Sequence, residues 1–204
     1  MQGSNDKPVI VISSDWERVG HDLSREVATN CGFCAYTEHD GAIVAGVSFN
    51  MVYDPGAADP QTLEWWQSTP ENREAWAVCT KDPRHPAEVM RDLRTWIDDL
   101  LKDYTFGGFV FYPTLYDGAL LSNYWMRYNG KTSVFSAGPP NTYDIRSYAS
   151  GVLGLPYREC NQKGALAAYW PPADEFPHTH TGLDDAIEQA KLFFNIRKAA
   201  LAKK

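Results

Sequence analysis

Three short acidic stretches in this chain could do chemistry if they meet. The first is Asp15-Trp16-Glu17, at the end of an apolar, β-branched run. Side chains two apart on a strand point to the same side, so these two carboxylates converge. Like charges that close repel unless a cation sits between them. Paired carboxylate oxygens are what a hard divalent ion such as Mg²⁺ or Mn²⁺ prefers. The second stretch is Asp117, just after Pro113-Thr114-Leu115-Tyr116 and at the start of an expected helix. The third runs from His180 to Asp184-Asp185, a loop histidine followed by acids in the first turn of the last helix. Each has an ordinary explanation on its own: solvated charge for the first, an acid favoured by the helix dipole for the others. Helical arithmetic does not choose between Asp184 and Asp185. They lie ~100° apart around the axis, and neither falls on the Leu183/Ile187 stripe.

The elements that must position these groups are legible in outline. Pro8-Val9-Ile10-Val11-Ile12 reads as a buried strand, and residues 31–37 and 42–49 read as two more. His39-Asp40-Gly41 supplies the tight turn between those two. Over 85–104 the period changes: Val89, Leu93, Trp96, Ile97, Leu100 and Tyr104 recur at helical spacing. Phe109-Val110-Phe111-Tyr112 reads as a fourth strand, and 117–128 and 144–153 as shorter helices, the second closed by Gly154 and Pro156. Residues 154–180 read as a long loop. The last helix spans about 183–202, with Leu183, Ile187, Ala190 and Phe194 as its apolar stripe and Thr181-Gly182-Leu183-Asp184 as a capping box. Strands, helix, strand and helices in that order make an α/β domain with helices packed on a sheet.

Composition bounds the function. The 204 residues carry 19 basic and 26 acidic side chains, a net charge of −7, so a protein that coats nucleic acid by bulk charge is excluded. With 44% apolar residues a core is within reach. The apolar runs are too short to span a membrane and the start lacks signal-peptide features, so a cytoplasmic protein is expected. Four cysteines are too few for a disulfide framework. Cys31-Gly32-Phe33-Cys34 has the spacing of a redox or zinc half-site. No second half-site exists, however, and the following residues alternate like a strand, so buried reduced thiols are expected. Trp16 lies between the two acids, and Trp65 and Trp66 follow the meander. Trp16 and Trp66 are therefore candidates for base stacking as well as for packing. On the last helix, Lys191, Arg197, Lys198, Lys203 and Lys204 read as a solvated face or as a modest basic rim.

In combination, Ile12-Ser13-Ser14-Asp15-Trp16-Glu17-Arg18-Val19-Gly20 and His180-x4-Asp185-Ala186 resemble the motifs of the DEDDh 3′–5′ exonucleases. These are relatives of RNase T and of polymerase proofreading subunits. Further stretches are similar to the bacterial and phage subgroup typified by a mycobacterial 3′–5′ exoribonuclease. They are Asp59-Pro60-Gln61-Thr62-Leu63-Glu64-Trp65-Trp66, Glu74-Ala75-Trp76, Tyr112-Pro113 through Asp117, Asp144 to Ala149, and Pro177 to His180. The likeness covers roughly 8–200. It departs from many members at Tyr112-Pro113, where they carry His-Asn, and at Gly118-Ala119, where bulkier residues are common.

The resemblance implies a ribonuclease H-like α/β fold, a mixed five-stranded sheet with helices on both faces. It implies one exonuclease domain over 1–204, with a flexible start at 1–7. Asp15, Glu17, Asp117 and Asp185 would hold two divalent ions, Mg²⁺ or Mn²⁺, and His180 would be the general base. His178 would be a loop polar group or phosphate neighbour, and Asp144 a structural or outer-shell acid. The expected substrate is the 3′ end of single-stranded RNA. A DNA exonuclease of repair or proofreading type, an inert binding module of the same fold and, distantly, a Cys31/Cys34 thiol redox protein are the alternatives. A homodimer is compatible with the resemblance.

Overall fold

A computed structural model describes residues 7–130 and 141–202. Residues 1–6, most of the expected flexible start, lie outside it, as do Lys203 and Lys204. The strands β1 (Val9–Arg18), β2 (Ala28–Thr37) and β3 (Ile43–Asn50) form the expected antiparallel meander. β1 is longer than its apolar run. Ser13 and Ser14 are buried opposite Cys34 and Phe33, so pairing carries the strand through Asp15 and Glu17. At the turn, Gly41 takes a positive φ of 70° that a side chain would strain. β4 (Thr105–Phe111) begins earlier than expected and runs parallel to β1, and β5 (Thr142–Asp144) runs parallel to β4. The order β3-β2-β1-β4-β5 makes a mixed five-stranded sheet.

Two helices went unread in the sequence pattern, α1 (Pro60–Gln67) and α2 (Pro70–Cys79). Their start signals are ordinary: Asp59 Oδ2 accepts from Thr62 N–H at 2.8 Å, Thr69 Oγ1 accepts from Asn72 N–H at 3.1 Å, and each has Pro in its first turn. α3 (Pro86–Leu100), α4 (Asp117–Tyr128) and α5 (Ile145–Leu153) follow the expected pattern. Gly154 closes α5 with a φ of 69°.

α6 (Gly182–Leu201) differs from its expected face. Its buried residues are Gly182, Asp185, Ala186, Glu188, Gln189, Ala190, Leu192, Phe193 and Ile196; of the expected stripe Ala190 is among them, while Leu183, Ile187 and Phe194 lie at the margin. The capping box does not form either. The Thr181 hydroxyl donates to Asp184 Oδ2, and the Gly182 N–H donates instead to Asn30 Oδ1 at 2.8 Å.

Strand alternation splits the core into two layers. Ile10, Ile12, Phe109 and Phe111 pack with α3 and α4 on one face, while Val11 and Val110 pack with α5 and α6 on the other. Asp15 and Glu17 share the parity of Val11, so they project on the α6 side. Cys31 and Cys34, three apart, fall on opposite faces and are buried and free. They cannot act as one redox or zinc half-site. Among the described residues no helix is long and apolar enough to cross a membrane.

Candidate active site

The C-terminal end of β1, the start of α4 and the start of α6 meet at one cleft of about 450 Å³. Asp15, Glu17, Asp117, Asp185, His178 and His180 all line it. Carboxylate oxygens of Asp15, Glu17 and Asp185 lie within 4.8 Å of one another. The approach of α6 to the sheet is made possible by a glycine pair. A Cβ on Gly32 would lie 2.0 Å from backbone atoms of Gly182 and Leu183, and one on Gly182 would lie 2.5 Å from Gly32 N. That contact turns Asp185, 2% exposed, toward β1 and leaves Asp184 in solvent. The helix packing thus makes the choice that helical arithmetic left open. Asp184 accepts from the hydroxyls of Thr179 and Thr181, which is local loop bonding.

Burial and mutual repulsion dominate the electrostatics. Burial first, then the neighbouring Asp185, pushes Asp15 up to about 7. Burial, then Asp15, Asp185 and Asp117, hold Glu17 well above the usual carboxylate range. Asp117 is raised by burial and then Asp15, against the lowering effect of Arg18. Asp15, Glu17 and Asp117 are therefore expensive to ionise together, and a cation among them would remove that cost. The donor set is all oxygen at its centre, which suits a hard divalent ion.

His180 has a positive φ of 56°, unusual for a side-chain-bearing residue. Its ring stands edge-on to Trp65 at 5.0 Å and to His178 at 4.5 Å. Burial, then the neighbouring His178, lowers its pKa, favouring the neutral imidazole. His178 is more deeply engaged than a loop polar group. Its Nδ1 lies 3.2 Å from Asp185 Oδ2 and 3.0 Å from Glu188 Oε2, and these bonds push it up to about 10. The Thr179 N–H donates to Asp185 Oδ1 at 3.0 Å.

The aromatic expectation needs correction in its geometry. Trp16 is 4% exposed, packed against Phe33 and Tyr124, with its indole N–H donating to Ser14 Oγ. Trp66 is 1% exposed and donates to Arg18 O. Both touch the cleft, but their ring faces are taken up by the core, since alternation on β1 sends Trp16 to the side opposite the acids. Trp65 is 40% exposed and stands at the cleft beside His180.

Asp144 has the structural role. Its Oδ1 caps α5 through Ser147 N–H, and its Oδ2 accepts from Thr114 N–H at 2.9 Å, anchoring the segment that leads to Asp117. Lys191 donates to Gly41 O and Arg197 pairs with Glu38 at 2.6 Å, so both are occupied at the β2–β3 turn and its flank.

Two residues escaped sequence reasoning. Gln189 Nε2 donates to Asp15 Oδ1 at 2.7 Å, and Glu188 holds His178. The available signal was spacing: they stand three and four residues after Asp185, on one helix face.

Neither protein-family models nor curated proteins give a match to the chain. Solved structures do. The nuclease domain of 3′hExo, a DEDDh family member bound to rAMP, aligns at a TM-score of 0.67 with 12% identity, over 96% of this chain and 94% of that one. A 3′-exonuclease in 3′-end specific recognition of histone mRNA stem-loop aligns at 0.63 with 10% identity, over 96% and 84%. Product-bound exonuclease I aligns at 0.56 with 11% identity, over 97% of this chain but 44% of that one. The chain thus has the α/β, ribonuclease H-like fold of these 3′-exonuclease structures.

Proposed function

We propose that this protein is a metal-dependent 3′–5′ exonuclease acting on single-stranded nucleic acid, RNA before DNA. The observation that carries the reading is the convergence of Asp15, Glu17, Asp117 and Asp185 with His180 in one cleft. A fold shared with 3′-exonucleases supports it, and the rAMP and histone mRNA of two of those structures favour RNA. Asp15, Glu17, Asp117 and Asp185 would hold two divalent ions, Mg²⁺ or Mn²⁺, which when bound supply positive charge at the scissile phosphate and acidify water. His180, kept neutral, takes a proton from the attacking water at a ring nitrogen. Gln189 keeps one oxygen of Asp15 oriented. Trp65 offers the open aromatic surface for the terminal base, in place of Trp16 and Trp66. Four buried, free thiols suit a reducing cytoplasm.

The test is degradation of 3′- and 5′-labelled RNA and DNA strands by the purified protein, with and without Mg²⁺ or Mn²⁺. Stepwise shortening from the 3′ end, dependent on metal and lost in Asp15→Ala, is expected. His180→Ala should cut kcat by at least ~100-fold while metal binding survives. Full activity in either variant overturns the assignment, and absence of cleavage with both metals favours an inert binding module.

A further inference from the structure

We propose that Glu188 is a positioning residue that ties the segment presenting His180 to α6. Glu188 lies one helical turn after Asp185, on the same buried face, and is 2% exposed. A buried carboxylate needs partners for both oxygens, and here both partners come from one segment of the chain. The Trp170 indole N–H donates to Oε1 at 2.5 Å, and His178 Nδ1 stands 3.0 Å from Oε2. Between these two anchors lie Pro171, Pro172 and Pro177 in a stretch without helix or strand. Glu188 therefore staples the two ends of that stretch, and His180 follows two residues after the second anchor.

The tie extends in both directions. Asn195, two turns further along α6, donates to Tyr169 O at 3.0 Å, so the helix grips the chain on each side of the Tyr169–Trp170 peptide. The Trp170 ring stands edge-on to Tyr112 at 5.5 Å, which links the same anchor to the segment leading to Asp117. At the far end the rings of His178 and His180 are 4.5 Å apart, and His180 keeps its left-handed backbone. Such a conformation persists only where the surroundings over-determine it. Glu188 also shares the hold on His178 with Asp185, leaving Asp185 freer to face the cleft.

The kinetic half of the test rests on the exonuclease reading, and hydrogen exchange does not. Glu188→Ala should lower kcat about 10- to 100-fold with KM for a short single strand little changed. Amide exchange in residues 170–181 should rise while the sheet stays protected. Glu188→Gln keeps an oxygen for the Trp170 N–H and should recover part of kcat. Trp170→Phe, which removes that donor, should lower kcat and raise exchange in the same segment. A folded Glu188→Ala protein with wild-type kcat, or with a loss confined to KM, overturns the proposal, as does unchanged exchange. Should Glu188→Ala fail to fold, Trp170→Phe decides: unchanged kcat and unchanged exchange overturn it. If the wild type cleaves no strand, the exonuclease reading fails, and exchange alone decides whether Glu188 holds the segment.

Discussion

Asp15, Glu17 and Asp117 are held against ionisation by burial and by one another, and this has a measurable consequence. Asp15 moves from 3.8 to about 7, and the other two move in the same direction. An acid raised on folding contributes stability that is full below its unfolded pKa and is lost as pH rises through its folded value. Metal-free protein should therefore lose stability between about pH 4 and pH 7–8. The rise at Asp15 is worth about 4 kcal/mol, or roughly 8–16 °C in Tm for a chain of this length. His178, raised to about 10, adds loss of the same sign from about pH 6.5 upward. Asp22 and Asp40, which are exposed, and Asp54 and Asp59, which are half-buried, are lowered by hydrogen bonds, so their contribution is lost only below about pH 4, outside the window. Adding Mg²⁺ or Mn²⁺ should restore Tm, more at pH 8 than at pH 5, because the ion binds the ionised acids. Asp15→Asn should flatten the metal-free decline. Thermal melts across pH with and without metal check this, and a metal-free Tm that holds level or climbs from pH 4 to 8 contradicts it.

α6 is the element on which the cleft depends, because it supplies Asp185, Glu188 and Gln189 on one face. Its position against β2 is set by the contact of Gly32 with Gly182. Gly182→Ala would drive a methyl group into Gly32 N and Asn30 Oδ1. It should cost about 1–3 kcal/mol and lower kcat by displacing Asp185 from β1. Gly151, on α5, has nothing within 4 Å of an added Cβ, and Gly151→Ala should raise stability by ~0.5–1 kcal/mol at unchanged kcat. Melts and kinetics on the two variants separate the positions; equal effects would mean the glycine contact is not what places the helix. The same helix explains why sequence reading found its span but not its face. A search for an apolar stripe selects Leu183, Ile187, Ala190 and Phe194, of which Ala190 is buried, yet the buried face also carries the polar Asp185, Glu188 and Gln189. Local patterning fails where a site breaks it. α1 and α2 went unread for a plainer reason: they are short, with little apolar periodicity, and only the Asp59-Pro60 and Thr69-Pro70 starts announce them. β1 to β4 and α3 were legible in outline from their apolar patterning, whereas β5, three residues long, went unread.

Across the whole molecule the net charge is −7, and five of the acids line the cleft where, on the proposed function, a nucleic acid end would enter. Asp15, Glu17, Asp59, Asp117 and Asp185 line the cleft, and Arg18 is the one Lys or Arg among its described lining residues. Arg18 lies 4.5 Å from the Tyr116 ring centroid. Of the other basic groups of the C-terminal helix, Lys191 and Arg197 are occupied near the β2–β3 turn. A strand held here cannot rely on many lysine and arginine contacts to phosphate. On the proposed function, its charge would be met by ions held among the carboxylates, with Trp65 offering a stacking surface. Two binding properties follow for a His180→Gln variant, which on the proposed function cleaves slowly and keeps all four carboxylates. With one or two phosphates neutralised by side chains, log K for a single-stranded 10-mer should fall with log salt at a slope of magnitude about 1. Chelating the metal should weaken binding by at least ~10-fold, since the positive charge that would meet the phosphates is then removed. Fluorescence anisotropy at 50–200 mM KCl, with Mg²⁺ or with EDTA, measures both. A slope of magnitude ~4 or more would require more basic contacts than the described lining of the cleft supplies. Binding that survives chelation would place the strand elsewhere on the molecule and remove the metal-centred reading of the acidic cleft.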